Sequence, residues 1–150
     1  MKPFKTALHQ ACLERIDQRI ALANQAMEDI QNSANQETKS SAGDKYETGR
    51  AMMQQEKDKQ AIQLAQALEL RQQFEHIDPA LSFEDIQPGS LVLTDEGYYF
   101  LAASLGKVIV EDKTVYVLST ASPLGQALLR RRVGDKIQFQ QRHIQIIDLR

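Results

Sequence analysis

Apolar positions in the first half of the chain recur in steps of three or four: Leu8, Cys12, Ile16, Ile20, Ala23, Met27, Ile30 and Ala34. That spacing draws one narrow stripe along a helix face, the pattern of a coiled-coil seam. It predicts a helix from about Phe4 to about Ala34, roughly 45 Å long at about 1.5 Å per residue. The polar stretch from Asn35 to Asp44 follows, where Ser, Asn, Asp and Gly interrupt helix. A second helical run is predicted from about Lys45 to about His76, with apolar positions at Met53, Ala61, Leu64, Ala67, Leu68, Leu70, Phe74 and Ile77. Its first part, up to Lys59, is highly polar, which suits a helix projecting into solvent or into a wet channel of a partner. Two such helices with a short polar connection predict an antiparallel hairpin.

The pattern changes near Asp78-Pro79. Beyond it come Pro88, Gly89, Gly97, Gly106, Pro123, Gly125 and Gly134, separated by short runs rich in Val, Ile, Leu, Phe and Tyr. These runs predict strands at Leu91-Thr94, Tyr98-Ala103, Lys107-Val110 and Thr114-Ser119, and a final stretch from Ile137 to Leu149. Asp95-Glu96-Gly97 and Glu111-Asp112-Lys113 suit hairpin turns. A short helix is expected from Pro123 to Arg131, with Ser122 as its cap and Pro123 at its first position. The fold class is therefore α+β. A coiled-coil hairpin over 1–78, with its tip near 35–47, precedes a small antiparallel β-sheet domain with one short helix over 79–150.

Composition narrows the classes. A chain of 150 residues with 25% charged and 42% hydrophobic residues is that of a folded soluble protein. The net charge of -2 gives no global pull towards nucleic acid or an acidic membrane. The N-terminus lacks the apolar core of a signal peptide, and no apolar run is long enough to cross a bilayer, so no membrane partner is expected. A single cysteine, Cys12, builds no internal disulfide. A cytoplasmic location is the expectation.

The residues that could carry chemistry are few. Asp44 and Glu47 are three apart, so in a helix they share a face and could approach one ion. Spacing alone favours a helix cap at Asp44 with Glu47 as its capping-box partner. Tyr46 and Arg50 flank them and could contact RNA or a protein surface, or pack locally. Arg130, Arg131 and Arg132 form the densest basic cluster, either a docking patch for an acidic rim or a solvated run at a helix end. The histidines His9, His76 and His143 lack metal-ligand spacing. Ser122 lacks the surroundings of a nucleophile.

Three features together resemble the Gre family of bacterial transcription elongation factors. The order of a helical hairpin and then a β-rich domain is similar. The stretch Ser122-Pro123-Leu124-Gly125-Gln126-Ala127-Leu128-Leu129, then Val133-Gly134-Asp135, is similar to the family's Ser-Pro-(Leu/Ile)-x-x-Ala-Leu-(Leu/Ile)-Gly-Lys-x-x-Gly-Asp. Gly43-Asp44-Lys45-Tyr46-Glu47 is similar to the family's tip, Gly-Asp-x-x-Glu followed by Asn-Ala-Glu-Tyr. The chain departs from those patterns with Thr48-Gly49-Arg50 after the tip and with Arg130-Arg131-Arg132 where the family has Gly after the Leu pair.

The resemblance implies an FKBP-like second domain and RNA polymerase as partner, with nascent RNA met only indirectly. It implies that the hairpin enters the polymerase's secondary channel and that Asp44 and Glu47 help hold a Mg²⁺ jointly with the polymerase. No cofactor of the chain's own is expected. The chain would not be an enzyme by itself, and a monomer is expected. Ser122, Pro123, Leu124, Tyr46, Arg50 and the three arginines are the expected partner-binding residues. Transcript cleavage in backtracked complexes is the family's activity; the departures leave occupation of the channel without cleavage as the other form. Two further readings stand beside it. One is a non-catalytic adaptor that oligomerises through its helical seam. The other is a prolyl isomerase, for which the second half has only Phe83, Tyr98, Tyr99, Phe100, Tyr116 and Phe139 to share between core and pocket.

Overall fold

Pro3 lacks an N–H, so it suits a helix start, where its carbonyl accepts the first helical bond from Ala7 N at 3.1 Å. The computed structural model describes residues 3–37 and 43–150. Helix α1 is Phe4–Glu37 and helix α2 is Gly43–Glu75, so both run a little further towards their connection than the polar stretch suggests. The chain divides into two compact units, Met1–Glu14 with Gln72–Arg150, and Arg15–Arg71.

The Arg15–Arg71 unit is an antiparallel helical hairpin. Asp17 pairs with Arg71 at 2.6 Å, and Lys57 donates to Gln31 at 3.1 Å, so position rises on one helix as it falls on the other. The expected stripe is the seam: Ile16 and Ala23 are buried, while Ile20, Met27, Ile30 and Ala34 are half-buried. Among the described residues of α2 in this unit, Ala67 alone is buried. Elsewhere α2 is held by side-chain bonds one turn apart, Gln54 to Asp58 and Gln60 to Glu56.

The other unit is built on strands β1 (Leu91–Thr94), β2 (Gly97–Ala102), β3 (Gly106–Val110), β4 (Lys113–Ser119), β5 (Lys136–Phe139) and β6 (Arg142–Leu149), with helix α3 (Pro123–Leu128) between β4 and β5. They form one sheet in the order β3-β4-β2-β1-β6-β5. The α+β class holds, but the sheet is mixed: β2 and β4 run parallel, Tyr99 beside Tyr116, and the other pairings are antiparallel. The cause is local. The chain leaves β2 for the edge strand β3 and returns through a two-residue turn, Glu111 and Asp112 at φ 51° and 64°, so that β4 fills the gap. The final stretch is two strands joined by a turn of the same kind at Gln140 and Gln141.

Each sheet face is buried differently. On one face Tyr98 and Phe100 meet the helix ends, Phe4 with Tyr98 at 5.5 Å and Phe74 with Phe100 at 6.3 Å between ring centroids. On the other, Val92, Tyr99 and Leu101 pack with Ile86, Leu128, Ile137, Ile144 and Ile146. Each such buried side chain contributes about 1.5–3 kcal/mol.

Lys5 is a charged group in this packing. It is 4% exposed, donates from Nζ to the Leu81 carbonyl at 2.7 Å and lies 5.0 Å over the Phe83 ring. Burial lowers its pKa from the ordinary 10.5 to about 8, against the opposing pull of Asp78. The unfolded chain therefore holds a proton at this site that the folded chain has released between pH 8 and 10.5, so stability should rise with pH there. Tyr99, whose pKa is raised by burial, works in the opposite sense above about pH 10. Denaturant unfolding between pH 8 and pH 10 should show the rise in the native chain, and Lys5→Met should flatten it.

Candidate functional site

Two places bring the expected site residues together. The first is the start of α2. The helix begins at Gly43, so Asp44 and Glu47 occupy its first turn, three positions apart. Glu47, Thr48 and Arg50 are exposed. The side chains of Asp44 and Tyr46 lie outside the described part of the structure. Carboxylates at a helix N-terminus are favoured by its dipole, by about 0.3–1 kcal/mol at an exposed site. Among the described residues no group of three or more His, Cys, Asp or Glu could hold a metal ion.

The second place is a groove on the sheet, about 660 Å³ in volume, which brings Ser122, Pro123 and Leu124 beside Tyr99, Tyr116 and Phe139. Ser122 Oγ donates to the Ser119 carbonyl at 2.7 Å and accepts from Gly125 N at 3.1 Å, so the hydroxyl caps α3. A Cβ on Gly125 would stand 2.2 Å from the Ser119 carbonyl oxygen, so only glycine fits there. Pro123 opens the helix and Leu124 packs on the core. The motif thus works structurally and presents its surface to the groove.

The groove's other residues come from alternation on the strands. The parallel register sets Tyr99 and Tyr116 side by side, 6.0 Å between centroids, with Tyr99 buried and Tyr116 45% exposed. Arg142 lies 5.8 Å over the Phe139 ring and pairs with Glu96 at 3.1 Å, and both also line the groove. Burial first, then the carboxylate of Glu96, raise the pKa of Tyr99, which keeps its hydroxyl protonated as a donor. Sequence alone leaves these aromatic residues shared between core and pocket. The signal that finds them is the alternation Tyr99, Leu101 and Tyr116, Leu118, together with a pairing between strands that are not consecutive.

The basic cluster sits elsewhere in the local structure than expected. Helix α3 ends at Leu128, not at Arg131, because the backbone turns: Arg130 adopts φ 66°, its N–H donates to the Ile86 carbonyl at 2.7 Å, and Ile86 N donates back to Arg131 at 2.8 Å. Arg130, Arg131 and Arg132 are all exposed on this turn. Arg130 occupies the position where the Gre pattern has glycine, the residue for which a positive φ carries no steric cost. Cys12 is buried. No helix among the described residues is long and apolar enough to cross a membrane.

Two stability predictions follow from the turn and the cap. Arg130→Gly should stabilise the fold by about 0.5–1 kcal/mol in denaturant unfolding, since it relieves the left-handed backbone, less what glycine adds to the unfolded chain's entropy. Ser122→Ala should cost about 1 kcal/mol in the same measurement.

No protein family pattern matches this chain, and no curated protein does. Among solved structures the chain is similar to the structure of the transcription factor Gfh1, at 21% identity over 93% of each chain, with a TM-score of 0.39.

Proposed function

We propose that this chain is a Gre-like transcription factor that binds RNA polymerase, with the hairpin entering the secondary channel and the sheet groove docking on the polymerase surface. The observation that carries the reading is the position of Gly43-Asp44-Lys45-Tyr46-Glu47, which forms the first turn of the second helix of a long polar hairpin. Asp44 and Glu47 are thus held by helix backbone next to the connection, where a partner's channel would meet them first. A Mg²⁺ held jointly with the polymerase would stabilise the attacking and leaving oxygens of transcript cleavage. The chain's own part is to bring two oxygen donors and to hold them at a fixed spacing, since Mg²⁺ commonly takes one or two carboxylates from protein. Arg50, exposed one turn further along, adds a cation near the transcript.

The groove supplies the anchor. An apolar cleft with a few polar groups is the usual form of a docking pocket, and Tyr116 offers an exposed ring at its side. Thr48-Gly49-Arg50 stands where the Gre tip has other residues, which supports a second form of the same function, occupation of the channel without cleavage.

The test is transcript cleavage on backtracked elongation complexes of the cognate polymerase. The native chain should stimulate cleavage, and Asp44→Ala with Glu47→Ala should lower it by about 100-fold while binding persists. Tyr116→Asp should weaken binding itself. Binding without cleavage by the native chain would establish the channel-occupying form, and absence of binding would refute the polymerase reading.

A further inference from the structure

The hairpin unit exposes several large apolar side chains, Leu22, Met52, Ile62 and Leu68, and of these Leu22 borders a groove. The two helices leave this open groove of about 530 Å³ on one flank, lined by Leu22, Ala23, Ala26, Ala67 and Leu70 together with Arg19 and three glutamines. Leu22 is 71% exposed at the edge of this groove. Arg19, Leu22, Ala26 and Asp29 follow at steps of three, four and three, so they share one face of α1. Read in opposite directions, that face is its own complement: a cation opposite an anion, and a large residue opposite a small one.

We infer that this flank is a self-association surface whose occupant is the same flank of a second copy. A two-fold axis perpendicular to α1 and passing beside its Arg19-to-Asp29 face at the level of Asn24 lays α1 antiparallel on its copy, with residues equidistant from Asn24 facing each other. Leu22 of each copy then enters the depression at Ala26 of the other. Arg19 of each copy meets Asp29 of the other. Such an isologous contact closes on itself as a dimer. Asp29 accepts one bond from Gln25 at 2.9 Å through a single oxygen, and its second oxygen is available to a guanidinium. Gln63 and Gln66, which also line the groove, carry amides that both donate and accept, so each is compatible with its own copy. The stripe Arg19-Leu22-Ala26-Asp29 lies beside the seam, whose stronger periodicity hides it in the sequence, and a dimer through it would differ from the monomer expected there. The inference is independent of the polymerase reading, since it concerns the purified chain alone.

Sedimentation velocity of the full chain over a range of concentrations tests it, with Arg19→Asp, Asp29→Arg and the two combined. All four positions of the stripe are exposed or half-buried, and circular dichroism confirms that each variant keeps its helices. The native chain should dimerise, more weakly as salt is raised. Each single reversal places like charges together twice in the dimer and should weaken it at least about tenfold. The double reversal restores both pairs and should restore the dimer. A native chain that stays monomeric at every concentration overturns the inference, as does a dimer indifferent to the single reversals or not recovered by the double one.

Discussion

The contact between Phe74 and Phe100 is the one on which the sheet unit depends. Both rings are fully buried, 6.3 Å apart and tilted, an arrangement that adds about 0.5–1.5 kcal/mol beyond the area removed from water. It fixes the last turn of α2 to β2, as Phe4 and Tyr98 fix the first turn of α1 to the same strand. His9 supports the arrangement by bonding to the Phe74 carbonyl at 2.7 Å, which also accepts from Ile77 N at 3.1 Å where α2 ends. With one face committed to the helix ends, the other packs with Ile86, α3 and the β5–β6 hairpin. Their cover reaches Tyr99 and leaves Tyr116 in part outside, and the groove is what remains.

This division of labour links packing to function. Within the hairpin unit the core is little more than a seam, so the surface of both helices is left for recognition. The start of α2 carries its carboxylates on regular helix backbone, which holds their spacing without any contribution from a core. The sheet unit has the opposite character: its motif residues Ser122, Pro123 and Gly125 are occupied in building a turn and a cap, and Ser122 and Pro123 also border the groove. A short signature can therefore be structural in its bonding and recognitional in its surface.

Much of this was legible in the sequence. The stripe from Leu8 to Ala34 is long and strictly helical in period, so α1 could be read almost to its ends. Leu91-Thr94 and the Ser122-Pro123 cap were equally plain, because strand alternation and a capping serine before proline are local signals. Three things were hidden by physics that is not local. The parallel pairing of β2 with β4 depends on where β3 goes, which no window of residues contains. Gln140-Gln141 turns a hairpin without glycine or asparagine, so the β5–β6 turn gave no compositional cue. Arg130 takes a left-handed backbone because Ile86 bonds to both sides of it, a partner more than forty residues away.

The central claim is that the start of α2 reaches the active centre of RNA polymerase. The most direct measurement is local cleavage by an iron chelate tethered at position 47 through Glu47→Cys. Cys12 is fully buried, so the introduced thiol is the one that reacts. In complexes with the cognate polymerase, the account predicts cuts confined to the polypeptide and RNA around the catalytic Mg²⁺. Cuts on the outer surface of the polymerase, or none above the level of an untethered chelate, would contradict it.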